Sequence, residues 1–464
     1  MHYPASDLVI DPVLIRQYDT AGPRYTSYPT ADRFIEAFGE TELRQWLANR
    51  KVGGIGLPLS VYVHLPFCDT VCYYCACNKV ATRDRTKSAK YIKYLAKELA
   101  LLSPLLGAER DVCRLHWGGG TPTFLSHEEM GFLMEQLRGA FKLAPGAECS
   151  IEIDPRRLPP GTLEFLAGLG FNRVSLGVQD FDPSVQKAVN RLQSEEVTRR
   201  ATEEARANGF ASVNFDLIYG LPNQTLDGFN RTLDRVIDLG PDRIALYSYA
   251  HLPKLFPPQR RIAEADLPSP EVKLEILTLA IGRLTRAGYL YIGMDHFARP
   301  DDALATAQSQ GRLQRDFQGY STQPESDTLG LGISAIGRVG PTYYQNEKEL
   351  DHYYAALDAG RLPVARGVEL SADDLVRRAV IQALMCHFRV SIESIELAHL
   401  LDFRQYFAAE LADLRRLAAE GLVEIDGDWI IVTPKGRLLV RVIAMVFDRF
   451  LRSRVARASY SKVI

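Results

Sequence analysis

The stretch Leu59-Ser60-Val61-Tyr62-Val63-His64-Leu65-Pro66-Phe67-Cys68-Asp69-Thr70-Val71-Cys72-Tyr73-Tyr74-Cys75-Ala76-Cys77 decides how this chain reads. Leu59–Leu65 is apolar and β-branched and is closed by Pro66, which predicts a strand. The loop after it carries Cys68, Cys72 and Cys75 in Cys-x3-Cys-x2-Cys spacing, with Cys77 two residues on. Three thiolates in one short loop grip three corners of a cubane and leave the fourth iron without a protein ligand, whereas electron-transfer clusters usually take four cysteines. An open iron is a place for substrate or cofactor chemistry. A zinc site would need two separated Cys-x2-Cys or His pairs, which the loop lacks. A disulfide framework would spread its cysteines along the chain, and a chain this long buries a core without staples. Cys77 stays open among fourth ligand, substrate-site thiol and bystander. His64, on a buried strand, reads as a hydrogen-bonded structural residue.

Outward from this loop, residues 59 to 300 alternate short β-rich runs with longer helical stretches. Strands are predicted at Leu59–Leu65, Val112–Trp117, Cys149–Ile153, Arg173–Val178, Ser212–Ile218 and Arg243–Ser248, with a weaker seventh at Tyr289–Met294. Several of them are nearly continuous apolar runs, which fits parallel strands covered on both faces. Helices are predicted at Ser88–Leu102, Ser126–Phe141, Ser194–Asn208 and Thr225–Leu239, and Ser126 with Glu129 forms a capping box. Six β–α units in a row predict an α/β fold, a partial (β/α) barrel, with an open doubly wound sheet as the alternative. Residues 1–58 form an N-terminal arm, 59–360 the barrel, and 361–464 a mostly helical C-terminal domain. In that last segment an Asp426-Gly427 turn between Leu422–Ile425 and Trp429–Val432 predicts a hairpin, so helices plus hairpin make a small winged-helix-like module.

The chain has 464 residues, 46% apolar and 24% charged, with 55 Lys+Arg against 57 Asp+Glu and a formal net charge of −2. That balance argues against a nucleic-acid-binding protein, including a zinc-stabilised winged-helix DNA binder. No apolar stretch approaches the ~18 residues that span a bilayer, and the first residues carry no secretory signal, so a soluble cytoplasmic enzyme is expected. Monomer is the expected state, since no exposed apolar repeat is evident.

Cys68-x3-Cys72-x2-Cys75 after a first strand resembles the defining motif of the radical S-adenosylmethionine (SAM) enzymes. The wider pattern resembles the oxygen-independent coproporphyrinogen III oxidases, through Pro23–Thr30, Tyr62–Lys79, His116–Thr123, Glu152–Arg156, Gly177–Phe181, Asp216–Pro222, Tyr249–Pro253, Gly293–Arg299, Phe317–Tyr320 and Gly332–Ile336. The likeness runs from about residue 20 to the C-terminus. It implies a [4Fe–4S] cluster on Cys68, Cys72 and Cys75, with SAM chelated to the open iron. Reductive cleavage of SAM gives a 5′-deoxyadenosyl radical, which takes hydrogen from a propionate of coproporphyrinogen III; loss of CO2 and an electron leaves a vinyl group, and two rounds give protoporphyrinogen IX. The cofactor carries this chemistry while the protein positions and shields it. An electron donor such as a flavodoxin or ferredoxin is implied as partner.

By the same resemblance Gly119, Gly120 and Thr121 belong to the turn that binds the methionyl end of SAM. Glu152 contacts the ribose, and Gln179, Arg191 and Asp216 line a further SAM or substrate pocket. Tyr62, Tyr74, Ala250 and Ile336 match positions that touch SAM, and the match extends to the residues of members thought to hold two SAM molecules. Tyr62 and Cys77 are the catalytic candidates. Tyr74 stands where the family commonly has Phe, which preserves stacking on adenine and adds a hydroxyl needing a partner or solvent. Arg24, Arg260, Arg261 and Arg299 are candidates for the propionates, though each reads first as a surface charge or ion-pair partner. The rival within the superfamily is a haem-trafficking relative without decarboxylase activity. Such relatives lack the counterpart of Cys77 and the Pro23–Thr30 arm, and carry His-Asn-x-x-Tyr-Trp where this chain has Gln345-Asn346-Glu347-Lys348. A radical SAM enzyme for another tetrapyrrole is a third reading.

Overall fold

The computed structural model describes residues 8–50, 56–108, 110–452, 460 and 462. The chain forms two compact units, each built from non-adjacent segments: residues 34–268 with 323–369, and residues 1–33 with 269–322 and 370–464.

The first unit is built on a sheet. Its parallel strands are β1 (Leu59–Leu65), β2 (Asp111–Gly119), β3 (Lys142–Ile153), β4 (Arg173–Gln179), β5 (Ser212–Tyr219) and β6 (Arg243–Ser248). They lie side by side in chain order. On the other flank of β1, β7 (Asp327–Leu331) pairs in parallel, followed antiparallel by β8 (Ile336–Val339), β9 (Thr342–Asn346) and β10 (Val364–Glu369). The order is linear and β6 does not pair with β10, so this is a partial barrel without closure. The weaker seventh strand does not extend the parallel series. Leu290–Gly293 belongs to the second unit and pairs antiparallel with His296–Ala298.

The sheet is not apolar on both faces, as the sequence suggested. Residues of one parity, such as Val63, Trp117, Ile151, Leu176 and Phe215, are buried completely or nearly so. The other parity places Tyr62, His116, Ser150, Glu152, Ser175 and Asp216 on the opposite, half-buried face. Because successive side chains alternate across a strand, this period of two gives the sheet one apolar and one polar side.

The connecting helices match their sequence signals. The Ser126–Glu129 capping box is closed by Glu129 N to Ser126 Oγ at 3.1 Å and Ser126 N to Glu129 Oε2 at 2.8 Å, opening His127–Ala140. Helix Leu226–Leu239 buries Phe229, Leu233, Val236 and Leu239, spaced three or four residues apart, and starts from the Thr225 cap. Each such side chain contributes roughly 1.5–3 kcal/mol by leaving water.

The second unit is mostly helical. Ala372–His387, Ile392–His399 and Ala408–Ala419 accompany a three-stranded antiparallel sheet of Arg389–Ser391, Trp429–Val432 and Val423–Asp426, the predicted hairpin being its latter pair. Phe403, Phe407 and Phe447 pack together in its core. From the arm, Tyr25 donates to Asp448 Oδ2 at 2.9 Å, which anchors Pro23–Thr30 in this unit. Among the described residues no helix is long and apolar enough to cross a membrane.

Candidate active site

Parallel strands bring their C-terminal ends to one edge, where active sites of this architecture gather. Here β1 leads through Pro66 into the cysteine loop and β2 ends at Gly119. The β1–β2 register sets Tyr62 beside His116, and their rings stack with centroids 5.8 Å apart. Tyr62 OH lies 3.0 Å from His64 Nδ1, and His64 Nε2 lies 2.9 Å from Asn78 O. The Asn78 carbonyl can only accept, so His64 carries its proton on Nε2 and takes the Tyr62 hydroxyl at Nδ1. Burial lowers the His64 pKa and raises that of Tyr62 well above its usual value, so both are neutral. His64 is thus the structural residue expected, and it fixes Tyr62.

Glu152, late in β3, accepts from His116 Nε2 at 3.3 Å and from Gly119 N at 3.1 Å. Burial pushes this carboxyl up, but His116 and the Gly119 amide outweigh it and leave the pKa lowered. Its side chain keeps 43% exposure, so each oxygen retains a free lone pair toward the polar face. Gly119 (φ +115°) lies so close to His64 that a Cβ would sit 2.6 Å from its ring, and one on Gly120 would sit 2.6 Å from the Pro66 carbonyl. Only glycine fits either place. Gly120 N donates to Leu65 O at 2.9 Å and Thr121 N to Phe67 O at 2.8 Å, tying the turn to the start of the cysteine loop.

The three motif cysteines and Cys77 are free of disulfides. Thr121 Oγ1 donates to Cys68 Sγ at 3.6 Å, and Arg156 Nη2 and Arg191 Nη1 each reach Cys72 Sγ at 3.6 Å. Burial pushes the Cys68 thiol up to about 12. Cys75 is lowered to about 6 by the hydrogen bond from Cys77, against burial and with help from Lys79. Lys79 Nζ also caps the loop carbonyls, reaching Cys75 O at 3.1 Å. Cys77 itself is exposed. Behind the loop, Asp154 accepts from Arg156 (Nη2, 2.6 Å) and from both Nη atoms of Arg191 at 3.3 Å. Burial raises this carboxyl, but the Arg191 and Arg156 guanidinium groups bring it down to about 2.

Further along the face, Asp216 pairs with Ser175 Oγ and Asn214 Nδ2, each at 2.9 Å. Burial first and the Glu152 charge second raise it to about 7. Gln179, at the end of β4 with φ +68°, leaves Oε1 buried without a hydrogen-bond partner, and so does Arg191 with its Nε. Tyr74 packs against Val185, Val189 and Leu221, and Gln259 Nε2 donates to the carbonyls of Tyr74 (3.0 Å) and Ala250 (3.3 Å). Ile336 opens β8 beside Gly330, which is registered with Tyr62. The sequence-derived residues therefore converge at one end of the sheet. His116, Asp154 and Arg156, which the sequence reading did not single out, join them; the polar alternation of β2 and the matched stretch Glu152–Arg156 are the signals that could have found them.

The arginine candidates are occupied otherwise. Arg24 pairs with Asp295, Arg260 donates to Pro253 O at 3.1 Å, and Arg261 to Tyr73 OH at 3.2 Å. Arg299 lies over the Tyr289 ring at 5.8 Å.

The site suits a cluster better than a mononuclear ion. Among the described residues no three His, Cys, Asp or Glu side chains are gathered for a single metal ion. Three unbonded thiols faced by two guanidinium groups and a hydroxyl match an anionic iron–sulfur group, whose sulfurs are tuned by hydrogen bonds. Unpaired Gln179 Oε1 and Arg191 Nε suit a polar ligand, because buried polar atoms are normally satisfied.

Comparison with known proteins agrees with this chemistry. Residues 62–236 match the radical SAM superfamily and residues 370–439 match the HemN C-terminal domain. The chain is 53% identical over 456 residues to the oxygen-independent coproporphyrinogen III oxidase of Pseudomonas aeruginosa and 50% identical over 454 residues to that of Escherichia coli, each covering 98% of both chains. The solved coproporphyrinogen III oxidase (HemN) of Escherichia coli, a radical SAM enzyme, superposes with a TM-score of 0.91 at 49% identity, covering 96% of this chain and 100% of that one. With its cysteine loop at the strand ends and this likeness along its whole length, the chain belongs to the oxygen-independent coproporphyrinogen III oxidase family of the radical SAM superfamily.

Proposed function

We infer that this chain oxidatively decarboxylates two propionate side chains of coproporphyrinogen III to vinyl groups, giving protoporphyrinogen IX in porphyrin biosynthesis. The observation that carries the reading is the meeting, at one end of the sheet, of the three-thiol loop with the Tyr62–His116–Glu152 face and the Gly119–Thr121 turn. The family's cofactors are a [4Fe–4S] cluster and SAM, which when bound supply a carbon radical that abstracts hydrogen.

Cys68, Cys72 and Cys75 would hold the cluster, with Arg156, Arg191 and Thr121 donating to its sulfur ligands. The Gly119–Thr121 turn admits the methionyl end of SAM because no side chain stands between backbone and ligand. Glu152, held by His116 and Gly119, turns two acceptor lone pairs to the ribose hydroxyls. Tyr74 and Ala250, linked through Gln259, and Ile336, across Gly330 from Tyr62, would form walls around the nucleoside. Gln179 and Arg191 offer an unused acceptor and donor to a polar ligand, and Asp216, raised to about 7, changes charge near neutrality and joins them in the further pocket. Tyr62, which gives its proton to His64, presents only acceptor lone pairs to the ligand. Cys77, exposed beside the cluster ligands, is the candidate for contact with substrate.

A small electron-donor protein such as flavodoxin or ferredoxin, a cytoplasmic location and a monomeric state complete the reading. No observation favours the haem-trafficking alternative. The test is anaerobic: reconstituted protein with SAM, a strong reductant and coproporphyrinogen III, with 5′-deoxyadenosine, CO2 and protoporphyrinogen quantified together. All three products are expected. Deoxyadenosine without porphyrin product would move the assignment to another substrate or to the trafficking relative.

A further inference from the structure

The chain's formal charge is −2, yet residues 79–93 hold Lys79, Arg83, Arg85, Lys87, Lys90 and Lys93 against a single acid, Asp84. The fold lays this basic segment alongside the cysteine loop. Phe67 and Cys68 pair with Val80 and Ala81, and Thr82 N donates to Cys68 O at 2.9 Å. Beyond that pairing lies a groove of about 1070 Å³, lined by Arg83, Arg85, Lys93 and Arg157 around an apolar floor that includes Phe124 and Phe132. Arg83, Lys93 and Arg157 are exposed, and Phe132 is 41% exposed. Of the acids that line the groove, Asp69 is paired with Arg85 at 3.1 Å and Glu129 is engaged in its helix cap, which leaves Glu128.

The groove wall adjoins a cluster ligand. Asp69 is the residue after Cys68, and Thr121, which donates to Cys68 Sγ, stands two residues before Thr123 in the groove lining. An apolar floor with the Phe132 ring open to water, inside a basic rim, has the composition of a protein interface rather than of a small-anion site. The polar face of the sheet, where Tyr62, Glu152 and Asp216 meet, is the ligand side, so an electron entering by the groove reaches Cys68 without displacing substrate.

We propose that this groove is the docking surface for a small acidic one-electron carrier protein, which reduces the cluster at its Cys68 edge. The proposal rests on the cluster assignment made above. In the step, the reduced carrier gives up one electron and is oxidised by one unit, and the cluster passes from the 2+ to the 1+ level; no bond or proton changes hands. Complementary charge speeds the encounter and sets its orientation.

The test uses the reconstituted full-length protein and an FMN-loaded bacterial flavodoxin, itself an acidic one-electron carrier, as probe. Binding is titrated anaerobically in about 50 mM and about 300 mM salt, which spans the range over which exposed charges become screened. The triple variant R83E/K93E/R157E is expected to bind about tenfold or more weakly at the lower salt, and wild-type affinity to fall on raising salt. K142E, at the opposite end of β3, is expected to stay within about twofold of wild type, as befits a charge away from the surface. Cluster reduction by reduced flavodoxin, followed by visible absorbance, is expected to slow in parallel in the triple variant. Deoxyadenosine formation driven by dithionite is expected to be unchanged, which shows an intact site. Equal affinity of wild type and triple variant, or no measurable binding by wild type, overturns the proposal. Wild-type protein that takes up no iron overturns the cluster assignment instead, and the titration, which reads flavin rather than cluster, still decides the surface.

Discussion

Replacing Arg191 by Met removes the guanidinium that ties the cysteine loop to the strand ends. Its side chain is 7% exposed; it grips Asp154 through both terminal nitrogens at 3.3 Å, donates to Gly177 O at 2.6 Å and reaches Cys72 Sγ at 3.6 Å. Asp154, 13% exposed, is held at about 2 against a usual 3.8, with Arg191 the first of the attractive influences. That depression amounts to about 2 kcal/mol of native-state preference, shared between Arg191 and Arg156. With the lost hydrogen bond to Gly177, about 1 kcal/mol, the cost is about 3 kcal/mol, at the low end for a broken buried pair because Arg156 remains. The flanking residues couple this loss to the loop: Val189 O accepts from Tyr73 N at 3.0 Å and Asn190 Nδ2 donates to Val71 O at 2.8 Å. Local opening of the loop therefore rises about a hundredfold. The assay is native-state hydrogen exchange on metal-free protein at the Tyr73 and Cys75 amides, read against amides in β5. R191K, which keeps the charge and loses the fork, recovers about half of the effect in free energy. Exchange in R191M within about threefold of wild type would refute the structural role given to this arginine.

Cys68→Ser, Cys72→Ser and Cys75→Ser should each abolish the cluster and SAM cleavage while circular dichroism stays that of wild type; normal iron in any of them removes that residue from the ligand set. Gly120→Ala drives a Cβ to 2.6 Å from the Pro66 carbonyl, where backbone must shift, and should weaken SAM binding by about tenfold or more in equilibrium titration, at a stability cost of about 1–3 kcal/mol. Asp216 has a folded-state pKa of about 7, above its usual 3.8, so its contribution is fully present below the unfolded value and is lost as pH rises through 7. Asp216→Asn should therefore unfold at higher urea than wild type at pH near 8, with no advantage near pH 4, as read by fluorescence of buried Trp117.

The parallel half of the sheet was legible because each strand is a short β-rich run bounded by turn residues: Leu59–Leu65 and Arg243–Ser248 stand where the residues placed them. The two-sided apolar character was misjudged. Val, Leu and Phe at every second place dominate the impression of a strand, while His116, Glu152 and Asp216 between them mark a polar face. Strands β7 to β10 were missed. They are only four to six residues long, and β7 reaches β1 by a pairing 268 residues distant that no local pattern encodes. In the site, the cysteines announced themselves by spacing, whereas the Gly119–Thr121 turn was drawn from its resemblance and its place one unit after the cysteine loop. Arg156 did not, because an arginine in a loop reads as surface charge until Asp154 and Cys72 are seen beside it.

In the reaction inferred for this chain, a radical formed at the Cys68–Cys72–Cys75 loop takes hydrogen from the substrate's propionate side chains. The decisive substrate is coproporphyrinogen III deuterated at the propionate carbons next to the ring, turned over anaerobically and followed by mass spectrometry of the 5′-deoxyadenosine. The expected result is one deuterium carried into deoxyadenosine for each vinyl group formed. Vinyl product accompanied by unlabelled deoxyadenosine would contradict it.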